Sequence, residues 1–184
     1  MFLKWTLTVI ILCEIWGLTS VGNLKKVLKS MMFYTQLSNA AALISALLVL
    51  IFGSLPWITA LRYLAACMLI MTMLVTIFVL VPTMKDTHLL LWSRGGFFLH
   101  LVCPVLNLAS YLFLEPHAGW NLLYLPLLVT LSYGDIMLYF NYLKKVDGPY
   151  PFLRFHHQSR RATFLWFTVL LIVITAISSL LLLF

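Results

Sequence analysis

The sequence predicts an all-α, polytopic membrane protein whose six transmembrane helices form one bundle. Of its 184 residues, 63% are hydrophobic and only 9% are charged, compared with roughly 45–50% and 25% in an ordinary globular domain. Apolar residues occur in six runs that each reach the roughly 20 residues needed to cross a bilayer as a helix. These runs are too long and too continuous to be the strands of a membrane barrel.

The six apolar runs occupy most of the chain. They are residues 2–21, 31–52, 57–81, 89–114, 120–140 and 163–184. Six spans of about 20 residues take about 120 residues, which leaves no room for a separate soluble domain. We therefore expect residues 1–184 to form a single transmembrane helical domain. A signal peptide is the alternative for the first run, but Glu14 and Trp16 interrupt it and no Ala-x-Ala cleavage site follows.

Basic residues separate sharply between the two sides of the membrane. The first, third and fifth connections contain ten of the twelve Lys and Arg residues, namely Lys25, Lys26, Lys29, Lys85, Arg94, Lys144, Lys145, Arg154, Arg160 and Arg161. Lys4 and Arg62 fall on the opposite side. Because positively charged connections stay cytoplasmic, both termini are predicted to face outward, in the plasma membrane or the endoplasmic reticulum. The net charge of +7 is spread over short loops, so no nucleic-acid partner is expected.

No cofactor or metal is expected from the cysteines and the histidine pair. Cys13, Cys67 and Cys103 lie in apolar runs, without the spacing of a disulfide framework or a zinc site. We interpret them as thiols that fill space in the core. His156 and His157 are adjacent in a loop with no carboxylate between them, which disfavours a metal site.

Several polar side chains lie inside the predicted spans, where an ionisable group costs about 2.5–3.5 kcal/mol and is a functional candidate for that reason. Glu14, Thr35, His100 and Asp135 come from four different spans. At about 1.5 Å per residue, each lies roughly 7–14 Å from the cytoplasmic ends of the helices. The sequence thus predicts one polar site at a common depth. We expect Glu14 and Asp135 to face the bundle interior and to be paired, with Arg94 or His100 among the partners.

Two local patterns surround the candidates Thr35 and His100. Thr35, Ser38 and Asn39 lie at i, i+3 and i+4, so they share one face of the second span; helix packing is the alternative role of this face. In the fourth span Pro104 has no N–H, and the carbonyl that it leaves free is that of His100. The resulting kink agrees with a cavity beside His100, and equally with a tolerated proline of a membrane helix.

Three motifs resemble a known six-helix family. They are Tyr34-Thr35-Gln36-Leu37-Ser38-Asn39, His100 one turn before Pro104, and Gly148-Pro149-Tyr150-Pro151-Phe152-Leu153. The chain is similar, over about residues 30–153, to the androgen-induced-gene proteins, the androgen-dependent tissue-factor-pathway-inhibitor-regulating proteins and their bacterial relatives. The resemblance implies a membrane hydrolase of fatty acid esters of hydroxy fatty acids, with Thr35 and His100 in the roles of the family's threonine and histidine.

The chain also departs from the pattern of this family. Relatives often have an acid shortly after the proline of the fourth span, where this chain has Asn107 and Ser110. They often have another acid directly after the Tyr-Pro-Phe-Leu segment, where this chain has Arg154. Both differences concern residues around the implied site, so they bear on substrate and activity.

The first function that the sequence leaves open is that of a lipid ester hydrolase. Thr35 would attack an acyl carbonyl while His100 takes its proton, which requires the two side chains to approach within about 2.6–3.2 Å. Asn39 or Gln36 would donate to the oxyanion, and Arg94 would hold a substrate carboxylate. We also expect Ser38, Asp135 and Glu14 to bind the substrate, because they are polar groups at the same depth.

Two other classes of function remain. A proton- or ion-coupled transporter would use Glu14, Asp135 and His100 as a relay, although the sequence shows no inverted halves and no paired broken helices. A non-catalytic membrane protein would bind a lipid or a partner helix through the same polar face.

The first testable prediction concerns topology. In a variant without the three native cysteines, Ser30→Cys and Lys144→Cys should be protected from a membrane-impermeant maleimide in intact cells, because their connections carry the positive charge. Phe184→Cys should react. Labelling of the first two variants from outside would contradict the predicted orientation.

Overall fold

Six long helices form the molecule, as the sequence predicts. The computed structural model describes residues 1–20, 22–85 and 87–184, so the predicted end of the first span at Val21 lies outside the described residues. Within these ranges six helices are long and apolar enough to cross a membrane, and no residue is in a strand. The helices are α1 (Phe2–Thr19), α2 (Leu24–Ser30), α3 (Tyr34–Phe52), α4 (Pro56–Met84), α5 (Arg94–Leu114), α6 (Trp120–Tyr142) and α7 (Arg160–Leu181). The chain is an all-α integral membrane protein.

Capping residues and prolines decide where the spans begin. Pro56 takes the first position of α4, where its missing N–H costs nothing, and α4 continues for 29 residues, beyond the predicted run. α5 begins at Arg94 because the Ser93 side chain caps its first turn, and His88–Trp92 forms a separate π-helical turn before it. Arg94 therefore lies at the very start of a span rather than inside one.

A π-helical segment in α5 lies just before its proline. Phe98–Val102 is π-helical, and Pro104 offers no N–H to the preceding turn. The sequence predicts a freed carbonyl at His100; in the structure it is the Leu99 carbonyl that accepts a side-chain hydrogen bond, from the Asn39 amide of α3 at 3.2 Å. The irregular turn of α5 is thereby fixed to α3 next to His100.

Small residues allow α3 and α4 to pack closely. Ser38, Ala42 and Ala46 are fully buried along one row of α3. Ala42 packs against Ala65 of α4, and the Ser38 hydroxyl forms a 2.9 Å hydrogen bond with the hydroxyl of Thr72. The helix-packing role of this face is confirmed for Ser38.

The connection between α6 and α7 folds into the bundle. Tyr150, Phe152 and Leu153 are buried in the main core cluster, because a 3-10 turn beginning at Pro151 directs them inward. A Cβ at Gly148 would lie 2.7 Å from the Leu153 carbonyl oxygen, so only glycine allows this compact turn.

A buried ion pair connects α4 to the end of α5. Arg62 Nε and Nη2 donate to the two carboxylate oxygens of Glu115, each at 2.7 Å. Arg62 Nη1 also donates to Asn107 Oδ1 at 2.9 Å and to the Ser45 hydroxyl at 3.3 Å, while Ser110 donates to Glu115 at 2.6 Å. Arg62 is 1% exposed. Arg62 lies within α4, so its charge is neutralised inside the bundle by Glu115 and not by solvent.

Glu14 joins this network from α1. Its side chain is fully buried, and Asn107 Nδ2 donates to Glu14 Oε1 at 3.1 Å. The prediction that Glu14 faces the interior and is hydrogen-bonded is confirmed, but its partner is Asn107 rather than Arg94 or His100. Asn107 and Ser110 stand where the resembling family often has an acid. Asn107 connects Glu14 to Arg62, and Ser110 donates to Glu115.

The second testable prediction concerns the ion pair. Arg62→Met leaves the Glu115 carboxylate buried and unpaired, so we expect the free energy of unfolding to fall by about 3–5 kcal/mol. The double variant Arg62→Met/Glu115→Leu should lose less, because no uncompensated charge remains. Unfolding by SDS titration in mixed micelles measures both, with the exposed Arg161→Met as control. Equal losses in the single and double variants would contradict a paired role.

Candidate functional site

A cavity of about 500 Å³ lies at the end of the bundle where the first, third and fifth connections meet. Its walls include Thr35 and Gln36 at the start of α3, Arg94 and His100 near the start of α5, and Tyr150 of the α6–α7 connection. Its volume falls in the range of small-molecule sites. The structure thus brings both predicted catalytic residues to one cavity.

His100 is held in a single orientation. Its Nδ1 lies 2.6 Å from the carbonyl oxygen of Leu90. A carbonyl oxygen only accepts, so Nδ1 must carry the proton, and Nε2 of the neutral ring is then a proton acceptor. Nε2 has no hydrogen-bond partner among the described residues. A Cβ at Gly96 would collide with the same Leu90 carbonyl. Glycine at this position therefore lets the Leu90 carbonyl lie close to α5, where it accepts the hydrogen bond from His100.

Thr35 is the second residue of α3, where backbone N–H groups have no partner inside the helix. Its N–H donates to Tyr150 Oη at 3.2 Å, and its Oγ1 lies 3.4 Å from the same oxygen. The preceding N–H, of Tyr34, donates to Tyr133 Oη at 3.1 Å. Burial raises the pKa of the Tyr150 phenol, so it stays protonated and can donate to Thr35 Oγ1.

Thr35 and His100 are not hydrogen-bonded to each other in the part of the chain that the structure describes. The predicted direct contact is therefore absent, because each group has another partner. The His100 ring binds the Leu90 carbonyl, and the Thr35 hydroxyl approaches Tyr150. The two groups face a common space that a substrate or a water molecule can occupy.

The polar residues that follow Thr35 have different roles. Gln36 lines the cavity, and its buried Oε1 has no hydrogen-bond partner among the described residues. Asn39 donates to the Thr35 carbonyl at 2.7 Å and to the Leu99 carbonyl at 3.2 Å, so both of its N–H groups are used and its prediction as an oxyanion donor is wrong. Ser38 is not in the cavity wall either, because its hydroxyl donates back to the Thr35 carbonyl.

Arg94 supplies the positive charge of the cavity. Its guanidinium carbon lies 3.7 Å from the centre of the Trp16 ring, a cation–π contact that orients the side chain. Within residues 1–20, 22–85 and 87–184, Arg94 forms no ion pair with a carboxylate. The guanidinium is therefore available to an anionic group of a ligand.

The other two carboxylates predicted for this site do not reach it. Asp135 is exposed on α6, so the prediction that it faces the interior is wrong. Its neighbour Gly134 is the residue that packs, against Phe167 of α7, and this turns Asp135 outward. Glu14 is hydrogen-bonded to Asn107 and is not in the cavity wall.

The thiols are separate from the cavity. Cys67 and Cys103 are buried free thiols, and Cys13 is half-buried, which agrees with a packing role. Among the residues described, no three His, Cys, Asp or Glu side chains are grouped so that they could hold a metal ion.

Two parts of the site are missed by sequence reasoning. Tyr150 contacts Thr35 although 115 positions separate them, and the only signal for it is its place in the Gly148-to-Leu153 motif. The His100–Leu90 contact has no sequence signal, because a backbone carbonyl can belong to any residue.

Comparisons with family models, curated proteins and solved structures give no match. Membership of the resembling family therefore stays a prediction, and function must be argued from the cavity itself.

The third testable prediction concerns Tyr150. Tyr150→Phe removes the acceptor of the buried Thr35 N–H, so we expect it to lower the free energy of unfolding by about 1–3 kcal/mol. The same titration in mixed micelles measures the loss. Tyr142→Phe, in which the ring is exposed, is the matched control and should be neutral. An equal effect in both variants would contradict a stabilising hydrogen bond between the Thr35 N–H and Tyr150.

Proposed function

We propose that this protein is a membrane hydrolase of fatty-acyl esters, with Thr35 as nucleophile and His100 as general base. The orientation of His100 supports this most strongly. Because Nδ1–H is held by the Leu90 carbonyl, Nε2 is left as a base in the cavity that also contains the Thr35 hydroxyl. A histidine whose other nitrogen is fixed by an acceptor is the arrangement that activates hydroxyl nucleophiles.

Acylation follows from this geometry. Thr35 Oγ1 attacks the acyl carbonyl carbon while its proton passes to His100 Nε2, directly or through one water molecule. The carbonyl oxygen becomes an oxyanion, then the bond to the alcohol oxygen breaks and His100 returns the proton to that leaving oxygen. The products of this half are an acyl-threonine ester and a free alcohol.

Deacylation uses the same groups. A water molecule attacks the acyl-threonine carbonyl and gives its proton to His100, which then protonates Thr35 Oγ1 as the ester bond breaks. A fatty acid leaves and the enzyme returns to its starting state.

Two features assist Thr35. Tyr150 donates to Oγ1, so the proton of the Thr35 hydroxyl is left for His100. The N-terminal end of α3 carries a partial positive charge, which stabilises negative charge that develops near Thr35. The Gln36 amide, in the wall beside Thr35, is the candidate side-chain donor to the oxyanion.

The charge of the cavity selects the substrate. Arg94 would bind a carboxylate at the headgroup level, so an ester that also carries a free carboxylate fits the site. Fatty acid esters of hydroxy fatty acids have this chemistry, and the resemblance of the three motifs points to the same class. The cavity lies at the end of the bundle that carries the basic connections, which the charge pattern assigns to the cytoplasmic side.

The structure does not bring together the three residues that a transporter would use as a proton or ion relay. Glu14 belongs to the Arg62 network, Asp135 is exposed, and His100 binds a backbone carbonyl. The three groups that the relay requires are therefore in three different places. Lipid binding without hydrolysis is the alternative that the same cavity would serve.

The fourth testable prediction concerns catalysis. Thr35→Ala should abolish both covalent labelling by a fluorophosphonate probe and hydrolysis of a fatty acid ester of a hydroxy fatty acid, because the nucleophile is gone. Thr35→Ser should keep both. His100→Ala should slow acylation by roughly 10²–10⁴-fold, the usual effect of losing a general base.

Matched controls separate chemistry from folding. Thr168→Ala removes a hydroxyl that bonds only its own helix, and His157→Ala removes an exposed imidazole; both should keep full activity. Full hydrolysis by Thr35→Ala would rule out the mechanism. Binding of the ester without turnover in the unmodified protein would leave lipid binding as the function.

A further inference from the structure

A second, narrow cleft lies between α4, α6 and α7 and meets the polar cavity at its end. Thr35, Leu80 and Tyr150 are in the walls of both spaces. The proposed nucleophile therefore stands at the junction between a polar cavity and a cleft of different character.

The walls of the cleft are mostly apolar. They include Met71, Val75, Leu131, Leu170, Leu171 and Ile174. On the α6 side, only Pro126, Gly134 and Asn141 of that helix are fully buried. The cleft is thus a slot bordered by a helix that mainly faces the hydrocarbon of the membrane, which suits a single lipid chain.

One polar atom in this cleft has no partner. Thr76 is 1% exposed and lines the cleft, and its Oγ1 has no hydrogen bond among the described residues. An unpaired buried hydroxyl is destabilising, so its place in the wall indicates a ligand atom that accepts a hydrogen bond from it.

The packing of α3 on α4 places Thr76 close to the level of Thr35. The two helices run in opposite directions, and Ser38 of α3 bonds Thr72 of α4 at 2.9 Å. One turn back along α3 leads from Ser38 to Thr35, and one turn forward along α4 leads from Thr72 to Thr76. Both steps go toward the same end of the bundle, and both residues line the cleft.

We infer that this cleft binds the acyl chain of the substrate and that the Thr76 hydroxyl donates a hydrogen bond to the carbonyl oxygen of its ester. The assignment of Thr76 rests on the proposed hydrolase function, whereas binding of a fatty chain in the cleft does not. A carbonyl held by Thr76 points its carbon toward Thr35, and the chain runs from there between α6 and α7. The alcohol half of the ester then occupies the polar cavity.

Photo-crosslinking tests the cleft independently of hydrolysis. The probe is palmitic acid with a diazirine in the middle of its chain, added to the purified full-length protein in detergent micelles. We expect labelled peptides from the facing parts of α6 and α7, near Thr130–Gly134 and Phe167–Ile174. Gly134→Leu should reduce this labelling at least about tenfold, because even a Cβ at Gly134 lies 3.1 Å from the Phe167 ring.

Ser132→Leu is the control for added bulk. Ser132 is exposed on the same helix two residues earlier, so the leucine adds volume outside the cleft and labelling should be unchanged. Labelling confined to lipid-facing residues, or equal labelling of Gly134→Leu and the unmodified protein, would overturn the cleft assignment whether or not the protein hydrolyses esters.

Kinetics test Thr76. Thr76→Val keeps the shape and removes the donor, so kcat should fall by roughly 10²–10³-fold, as for loss of one oxyanion donor, while KM and probe crosslinking stay unchanged. Thr168→Val is the matched control. Full kcat in Thr76→Val, beside inactive Thr35→Ala, would overturn the role of Thr76 alone. If the unmodified protein hydrolyses no ester, the proposed function and the role of Thr76 both fail, and crosslinking still decides the cleft.

Discussion

Arg62 is the residue around which the bundle is assembled. A guanidinium inside a membrane protein must be neutralised and have its donors satisfied, and here Glu115, Asn107 and Ser45 do so. These partners belong to α3, to α5 and to the turn after α5, and Asn107 extends the network to Glu14 of α1. Four helices are thereby fixed in rotation and height. The relative position of α3 and α5, which sets the two sides of the polar cavity, depends on this network.

The π-helical turn of α5 provides a second connection between α3 and α5, in addition to the Arg62 network. A regular α-helix would use each backbone carbonyl internally, whereas the π-helical turn before Pro104 leaves the Leu99 carbonyl for Asn39 of α3. The next residue, His100, is therefore held against α3 from one side and against the Leu90 carbonyl from the other. A π-helical turn directs its side chains differently from a straight α-helix, and such turns are frequent at functional sites.

Much of the architecture follows from the sequence alone. The lengths of the apolar runs predict six spans, and the depth of Thr35 and His100 along their helices predicts that they meet at one end. The rotation of a helix does not follow from hydropathy when apolar residues surround it on all sides, as in α6, so the sequence predicts the wrong orientation for Asp135. The ion pair between Arg62 and Glu115 does not follow from hydropathy, because 53 positions separate the two residues. Tyr150 reaches Thr35 only because two prolines and Gly148 turn the last connection into the core.

The attachment of α6 has a mechanical consequence. This helix buries few residues, and two of its side chains, those of Thr130 and Tyr133, form hydrogen bonds with the start of α3. Tyr133 donates to the Met32 carbonyl at 2.9 Å and Thr130 bonds the Tyr34 hydroxyl at 2.8 Å. A sideways force on α6 is therefore transmitted to the residues just before Thr35. Such forces come from the surrounding lipids, so the thickness of the bilayer is a variable that acts on this end of α3.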